Sequence, residues 1–234
     1  MATAIFQQGA DGYSGTGWFG MVAAQANSVW RTNGTNHYWW AGRFEESPSP
    51  SVYRGGLKFD VSSITGPVIV SSATLTLTFV AESVTTDYAV YAYKSLKAWN
   101  TPAGDADPAG ANEPCWTYQY YNGTAWSTAG AGGEDSDRDT DVLASATVTS
   151  AAPTAIDLTG ASFTSLVEGW INGTVTNNGL FICGQEDGAD RTKGWALPTH
   201  GTTSYRPKLT VIYTGAAAGP SIPILMGSFR HRWS

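Results

Sequence analysis

Apolar and polar residues alternate along most of this chain. In Ala73-Thr-Leu-Thr-Leu-Thr-Phe79, the residues Ala73, Leu75, Leu77 and Phe79 fall on one side, and Thr74, Thr76 and Thr78 on the other. A period of two with one apolar face is the signature of a half-buried β-strand. The same reading predicts strands over 4–8, 37–44, 54–60, 88–93, 154–158, 179–183 and 208–213, with Leu209, Val211 and Tyr213 sharing a face in the last. One segment breaks the pattern. Phe163, Leu166, Val167, Trp170 and Ile171 recur at helical spacing and predict a short amphipathic helix over about 161–172. Ser162 or Thr159 is available to cap its start, and Asn172-Gly173 to end it.

Between the strands, residues 98–140 are rich in Gly, Ala, Pro, Asp and aromatic rings. That is too long for a featureless loop in a compact domain, so a packed excursion with short strands is expected there. After the last strand, 215–220 reads as a Gly/Ala spacer. Then comes an apolar peptide with Ile222, Ile224, Leu225, Met226, Phe229 and Trp233, tipped by Arg230, His231 and Arg232. Pro223 prevents a regular helix through it. The division is one domain over 1–214 and a spacer with a C-terminal docking peptide over 215–234.

Composition supports an all-β reading. Charged residues are 14%, glycines number 27, and the aromatics include ten Trp. The net charge of −6 argues against nucleic acid, which needs a basic footprint to release counterions. The same balance argues against anionic membrane surfaces. No apolar run approaches the roughly 18 residues of a membrane span. The first basic residue is Arg31 and no apolar stretch precedes it, so the chain is expected to be made in a cytoplasm without a signal peptide.

Catalytic chemistry is not visible. His37, His200 and His231 have no nucleophile motif beside them. Cys115 and Cys183 lack metal-site spacing and are expected as two free, partly buried thiols, a disulfide remaining open. The run Glu134–Asp141 places carboxylates at Asp135, Asp137, Asp139 and Asp141. These are a weak candidate for calcium, which takes six to eight oxygens, the other reading being a solvated acidic loop. Asn33, Asn122 and Asn172 each open an Asn-Gly-Thr sequence and read as tight turns. Aromatic rings are the best ligand candidates, because sugar rings stack on flat faces. Tyr38 and Trp40 share one side of their strand, with Trp39 on the other. Trp116, Tyr118, Tyr120 and Trp126 form a denser set on a hairpin turning at Asn122-Gly123. Core packing is the competing reading for both sets.

Six segments in order carry a resemblance: 53–64 (YRGGLKFDVSSI), 72–77 (SATLTL), Trp126 followed by GGED at 132–135, 156–159 (IDLT) with 166–173 (LVEGWING), 178–184 (NGLFICG) and 205–213 (YRPKLTVIY). Together they resemble the DNRLRE domain, over roughly residues 4–214. The stretch 12–40 is longer and more aromatic than that family's pattern requires. The resemblance implies an antiparallel jelly-roll-like β-sandwich akin to carbohydrate-binding modules. It also implies a non-enzymatic role as a surface module of wall-associated proteins or phage particles. By analogy with such sandwiches, Asp11, Asp60 or Asp157 is a second candidate for a structural calcium. The resulting expectation is a virion structural or accessory protein, a capsid decoration or tail-associated. It would bind other virion proteins through its C-terminal peptide and host-surface glycans through its rings. The alternative is a carbohydrate-binding module, extracellular or at a cell surface, of a polysaccharide-degrading system.

Overall fold

The computed structural model describes residues 1–31, 37–45, 51–82, 87–149, 151–187 and 191–215. The docking-peptide residues Ile222, Ile224, Leu225, Met226, Phe229 and Trp233 lie outside the described residues, as does His231.

The described strands are β1 (Ala2–Gln7), β2 (Thr16–Val22), β3 (Tyr38–Phe44), β4 (Ser51–Phe59), β5 (Val68–Glu82), β6 (Tyr88–Ser95), β7 (Arg138–Val148), β8 (Thr154–Thr159), β9 (Leu180–Gly184), β10 (Arg191–Ala196) and β11 (Lys208–Gly215). One helix, α1 (Ala161–Asn172), lies between β8 and β9. The strands pair antiparallel in the order β1-β11-β5-β10-β3-β4-β9-β6-β7, with β2 also on β4 and β8 also on β5. This is the expected all-β, jelly-roll-like sandwich with one short amphipathic helix. No described helix is long and apolar enough to cross a membrane.

The sheet forks at β4. Tyr53 pairs with Val22 of β2 on one side and Gly42 of β3 on the other; the next residue, Arg54, pairs with Met21 of β2 and Cys183 of β9. β3 and β9 therefore share one edge of β4 and lead into the two arms of the sandwich. Tyr88 of β6 fills the angle between them and donates its hydroxyl to the Ala41 carbonyl at 2.7 Å. Burial holds the Tyr88 phenol well above its ordinary pKa, so it remains a donor. Between the arms lies the main core, where Leu75, Leu77, Phe79, Trp195, Leu209 and Val211 are fully buried. Each such side chain contributes about 1.5–3 kcal/mol on burial.

α1 closes one end of this core with Phe163, Leu166, Val167 and Trp170. Its polar stripe does a second task. β8 pairs with residues 74–79 of β5, leaving the edge over 68–73 without a strand. Thr164, Glu168 and Asn172, one turn apart, supply that edge. The Ala73, Val70 and Val68 N–H groups donate to their side-chain oxygens at 3.2, 2.7 and 2.9 Å. Asn172 returns a bond to the Val68 carbonyl at 2.9 Å, so its amide is fully engaged in the fold. Neither Ser162 nor Thr159 caps the helix: Thr159 ends β8, and Gly160 occupies the cap position without a side chain. Gly173 ends the helix at φ +70°, as the left-handed terminus requires.

Residues 96–137 pack across the outer face of β2, β4 and β9. They form a second core in which Trp99, Cys115 and Trp126 meet Phe19, Met21 and Phe181. The excursion is held by isolated bridges and polar ties rather than by long strands. Examples are Val29 with Ala106, Tyr118 with Ala125, and the Lys58 ammonium donating to the Trp99 carbonyl at 2.9 Å. The hairpin turn at Asn122-Gly123 is present, with Asn122 at φ +60°.

Candidate functional site

β3 and β4 approach each other where β4 has glycines. A Cβ on Gly55 would lie 2.7 Å from the Trp39 ring, and one on Gly20 of β2 would lie 3.6 Å from Trp39 Cβ. These positions leave room for Trp39, which turns inward at 7% exposure while Tyr38 and Trp40 stay half-buried. The alternation expected for His37–Trp40 therefore places its rings as read. Tyr38 and Trp40 meet edge to face at 5.2 Å between ring centres. Trp30 is drawn in by mutual backbone bonds with Gly20, at 2.6 and 3.0 Å.

Together these residues wall a cavity of about 240 Å³. It is lined by Trp30, Trp39, Trp40 and Tyr53, with Gly20, Met21, Val22, Ala24 and Gln25. Among the described residues, no Asp, Glu, Lys, Arg or His lines it. The cations adjacent in sequence are engaged elsewhere. Arg31 lies over the Trp18 ring at 4.4 Å and bonds the Pro102 carbonyl. Arg43 pairs with Glu45 at 2.7 Å. Of this cavity, the sequence singled out Trp40 and set Trp39 on the opposite face of the strand, without saying which face turns inward. It did not mark Trp30, Tyr53 or Gln25, which reach the cavity only through the pairing of β2, β3 and β4. The Gly55-Gly56 pair inside a strand was the available signal, since glycine there marks a close approach.

The second aromatic set divides. Trp126 is 5% exposed, donates its indole N–H to the Cys115 carbonyl at 2.7 Å and meets Phe181 edge-on at 5.6 Å. It packs in the second core and presents no open face, which corrects its place among the glycan candidates. Trp116 is half-buried; it lies over Gly130, where a Cβ would sit 2.7 Å from the ring, with the Arg54 guanidinium 5.3 Å from its centre. Tyr118 and Tyr120 are half-buried, Tyr118 against Tyr121 at 5.6 Å and Tyr120 bonded to the Ala98 carbonyl at 3.2 Å. Arg54 is fixed by a two-pronged bond to Glu186, both contacts 2.7 Å, and by the Gly130 carbonyl. Burial works against its charge, and the carboxylate more than offsets this, keeping Arg54 protonated.

The acidic run does not converge. Asp137 is fully buried, and its two oxygens accept the Ser127, Thr128 and Gly133 N–H groups at 2.9, 2.9 and 3.0 Å. Asp135 is an exposed turn residue at φ +55°, while Asp139 and Asp141 stand on β7. Of the second trio, Asp60 accepts the Ser62 N–H and Asp157 accepts the Thr76 hydroxyl, and Asp11 is an exposed turn residue at φ +47°. Among the described residues, no three His, Cys, Asp or Glu side chains gather as a metal site. Asp137, one of the four alternate carboxylates offered as calcium ligands, instead ties a loop through backbone donors.

Both cysteines are free and buried in the second core. Burial pushes the Cys183 thiol up to about 11, against the pull of Arg54 and Arg138, so it stays protonated and unreactive. His200 accepts the Thr202 N–H at 3.1 Å in a turn, and the His37 carbonyl accepts the Leu197 N–H at 2.9 Å.

The fold and the cavity define an all-β sandwich with an aromatic pocket beside the fork of its sheet, uncharged among the described residues. Neither protein-family models nor curated proteins match the chain.

Proposed function

We propose that this chain is a non-enzymatic adhesion module deployed as a virion structural or accessory protein, a capsid decoration or tail-associated. The observation that carries the adhesion reading is the cavity: three aromatic rings on β3 and β4 and a fourth, Trp30, bridged to β2, with no titratable pair among them. Such a wall binds by surface contact and offers a single phenol rather than an acid–base pair. The ligand is a polysaccharide of the host surface. The kinship proposed is with the DNRLRE sandwiches, on the ordered segments given above. Placement on a particle rests on the composition of 221–234, whose apolar residues suit strand addition to a neighbour's sheet edge.

Two experiments test the two halves. In binding to host-surface polysaccharide, Trp40→Ala should weaken affinity roughly tenfold, about 1.4 kcal/mol, while circular dichroism stays that of the parent. Unchanged binding would remove the cavity from the mechanism. Deleting 221–234 should leave a folded, soluble sandwich that no longer incorporates into particles; normal incorporation would end the docking role.

The second reading, a carbohydrate-binding module of a cell-surface or polysaccharide-degrading system, draws on the same cavity. It is favoured if the protein lacking 221–234 binds one polysaccharide tightly and the full chain joins no particle.

A further inference from the structure

Resting on the reading that the cavity is the binding seat, we infer that the group it admits is a quaternary ammonium substituent of the surface polymer, not a sugar ring. The argument is one of unmet demands. A pyranose carries several hydroxyls, and each one removed from water without a partner is costly. Among the described residues the lining offers three indoles, a phenol, Met21, Val22, Ala24 and Gly20, with Gln25 as its one side-chain amide. That is a poor match for a polyhydroxyl ring. A trimethylammonium group has no N–H to satisfy and a diffuse charge that is weakly hydrated. It gains from the negative faces of aromatic rings, tryptophan most of all.

Size and charge point the same way. The cavity of about 240 Å³ falls below the roughly 300–1,000 Å³ of sites for drug-sized ligands, so it suits a small head group on a longer chain. A neutral hydrocarbon would also fit. The cation is preferred because no positive side chain among the described residues lines the space, the protein carries a net charge of −6, and Arg31, Arg43 and Arg54 are each committed elsewhere. The glycines at 20 and 55 hold the arrangement by letting Trp39 lie against β2 and β4.

The test titrates the full chain with choline chloride and, separately, with choline's uncharged tert-butyl isostere, by calorimetry or NMR. Choline should bind more tightly by roughly tenfold, which corresponds to about 1.4 kcal/mol. Trp40→Ala should abolish choline binding and Trp40→Phe should retain part of it, which separates ring loss from misfolding. In protein made with fluorinated tryptophan, choline affinity should fall several-fold and the isostere's should not, because fluorine withdraws charge from the ring face. Equal affinity for choline and its isostere overturns the inference. So does choline-free polysaccharide binding through Trp40 while choline itself does not bind; that result leaves the adhesion reading standing. Binding of neither choline nor polysaccharide overturns both.

Discussion

Gly42→Ala is expected to destabilise the sandwich severely, by several kcal/mol. Gly42 lies at φ +110°, a conformation that side-chain-bearing residues rarely adopt. Its missing Cβ would stand 2.0 Å from the Arg191 carbonyl oxygen and 2.9 Å from the Tyr88 ring. The first neighbour is backbone. It cannot withdraw without opening the ladder between β3 and β10, where Gly42 pairs with Thr192. Strain at such a φ costs about 1–3 kcal/mol, and overpacking a filled site about 1–3 kcal/mol or more. The sum, about 2–6 kcal/mol, reaches the lower end of the whole stability of domains, about 5–15 kcal/mol. Denaturant titration followed by circular dichroism reads the outcome. A Gly42→Ala protein within about 1 kcal/mol of the parent would show that the fork at β4 is not the rigid joint described.

Asp137→Ala should act more locally. The buried carboxylate gathers three backbone N–H groups of 127–133, and hydrogen bonds to a charged group each contribute about 1.5–3 kcal/mol. Ser127 and Thr128 are exposed, so water replaces part of what is lost there; Gly133 is buried and has no such recourse. A cost of about 3–5 kcal/mol follows, concentrated in the excursion over 96–137. The second core should open while the main core holds. Cys115 would then react with a thiol reagent under conditions that leave the parent protected, and amide exchange would quicken across 115–137 but not in β5 or β11. If Cys115 stays protected and the thermal midpoint is unmoved, the excursion does not depend on this carboxylate.

Much of the sheet was legible because one face of each strand meets water. β5, β6, β8 and β11 alternate, and all four fall where periodicity predicts. The helix was legible for the same reason, its five-residue stripe facing the core. β2, β7 and β10 were missed, each for a physical cause. β2 is buried along its whole length, the main core on one side and the excursion on the other, so its sequence shows no alternation. β7 carries Asp139 and Asp141 at its start and reads as an acidic loop. β10 is Arg-Thr-Lys-Gly-Trp-Ala, polar by composition, yet Thr192, Lys193 and Trp195 are all buried. The candidate site was half legible. That Trp40 and Trp39 take opposite faces follows from local alternation, but which of them turns inward does not. Trp30 and Tyr53 join them only through strand pairing, which no local pattern encodes. Trp126 shows the opposite failure: an aromatic in a polar loop looks available until the loop is seen to have a core of its own.

The pairing of β1 with β11 joins Ala2 to Tyr213, the first described strand to the last. During synthesis at about 5–20 residues per second, β1 must wait for nearly the whole domain before its neighbour exists. Until then its exposed N–H and C=O groups can join the wrong strand, including a second nascent chain on the same message. Contacts of such long sequence separation also slow folding, toward the millisecond-to-second range typical of all-β domains. Yield from a fast bacterial promoter should therefore improve with weaker translation initiation, which spaces nascent chains further apart on the message.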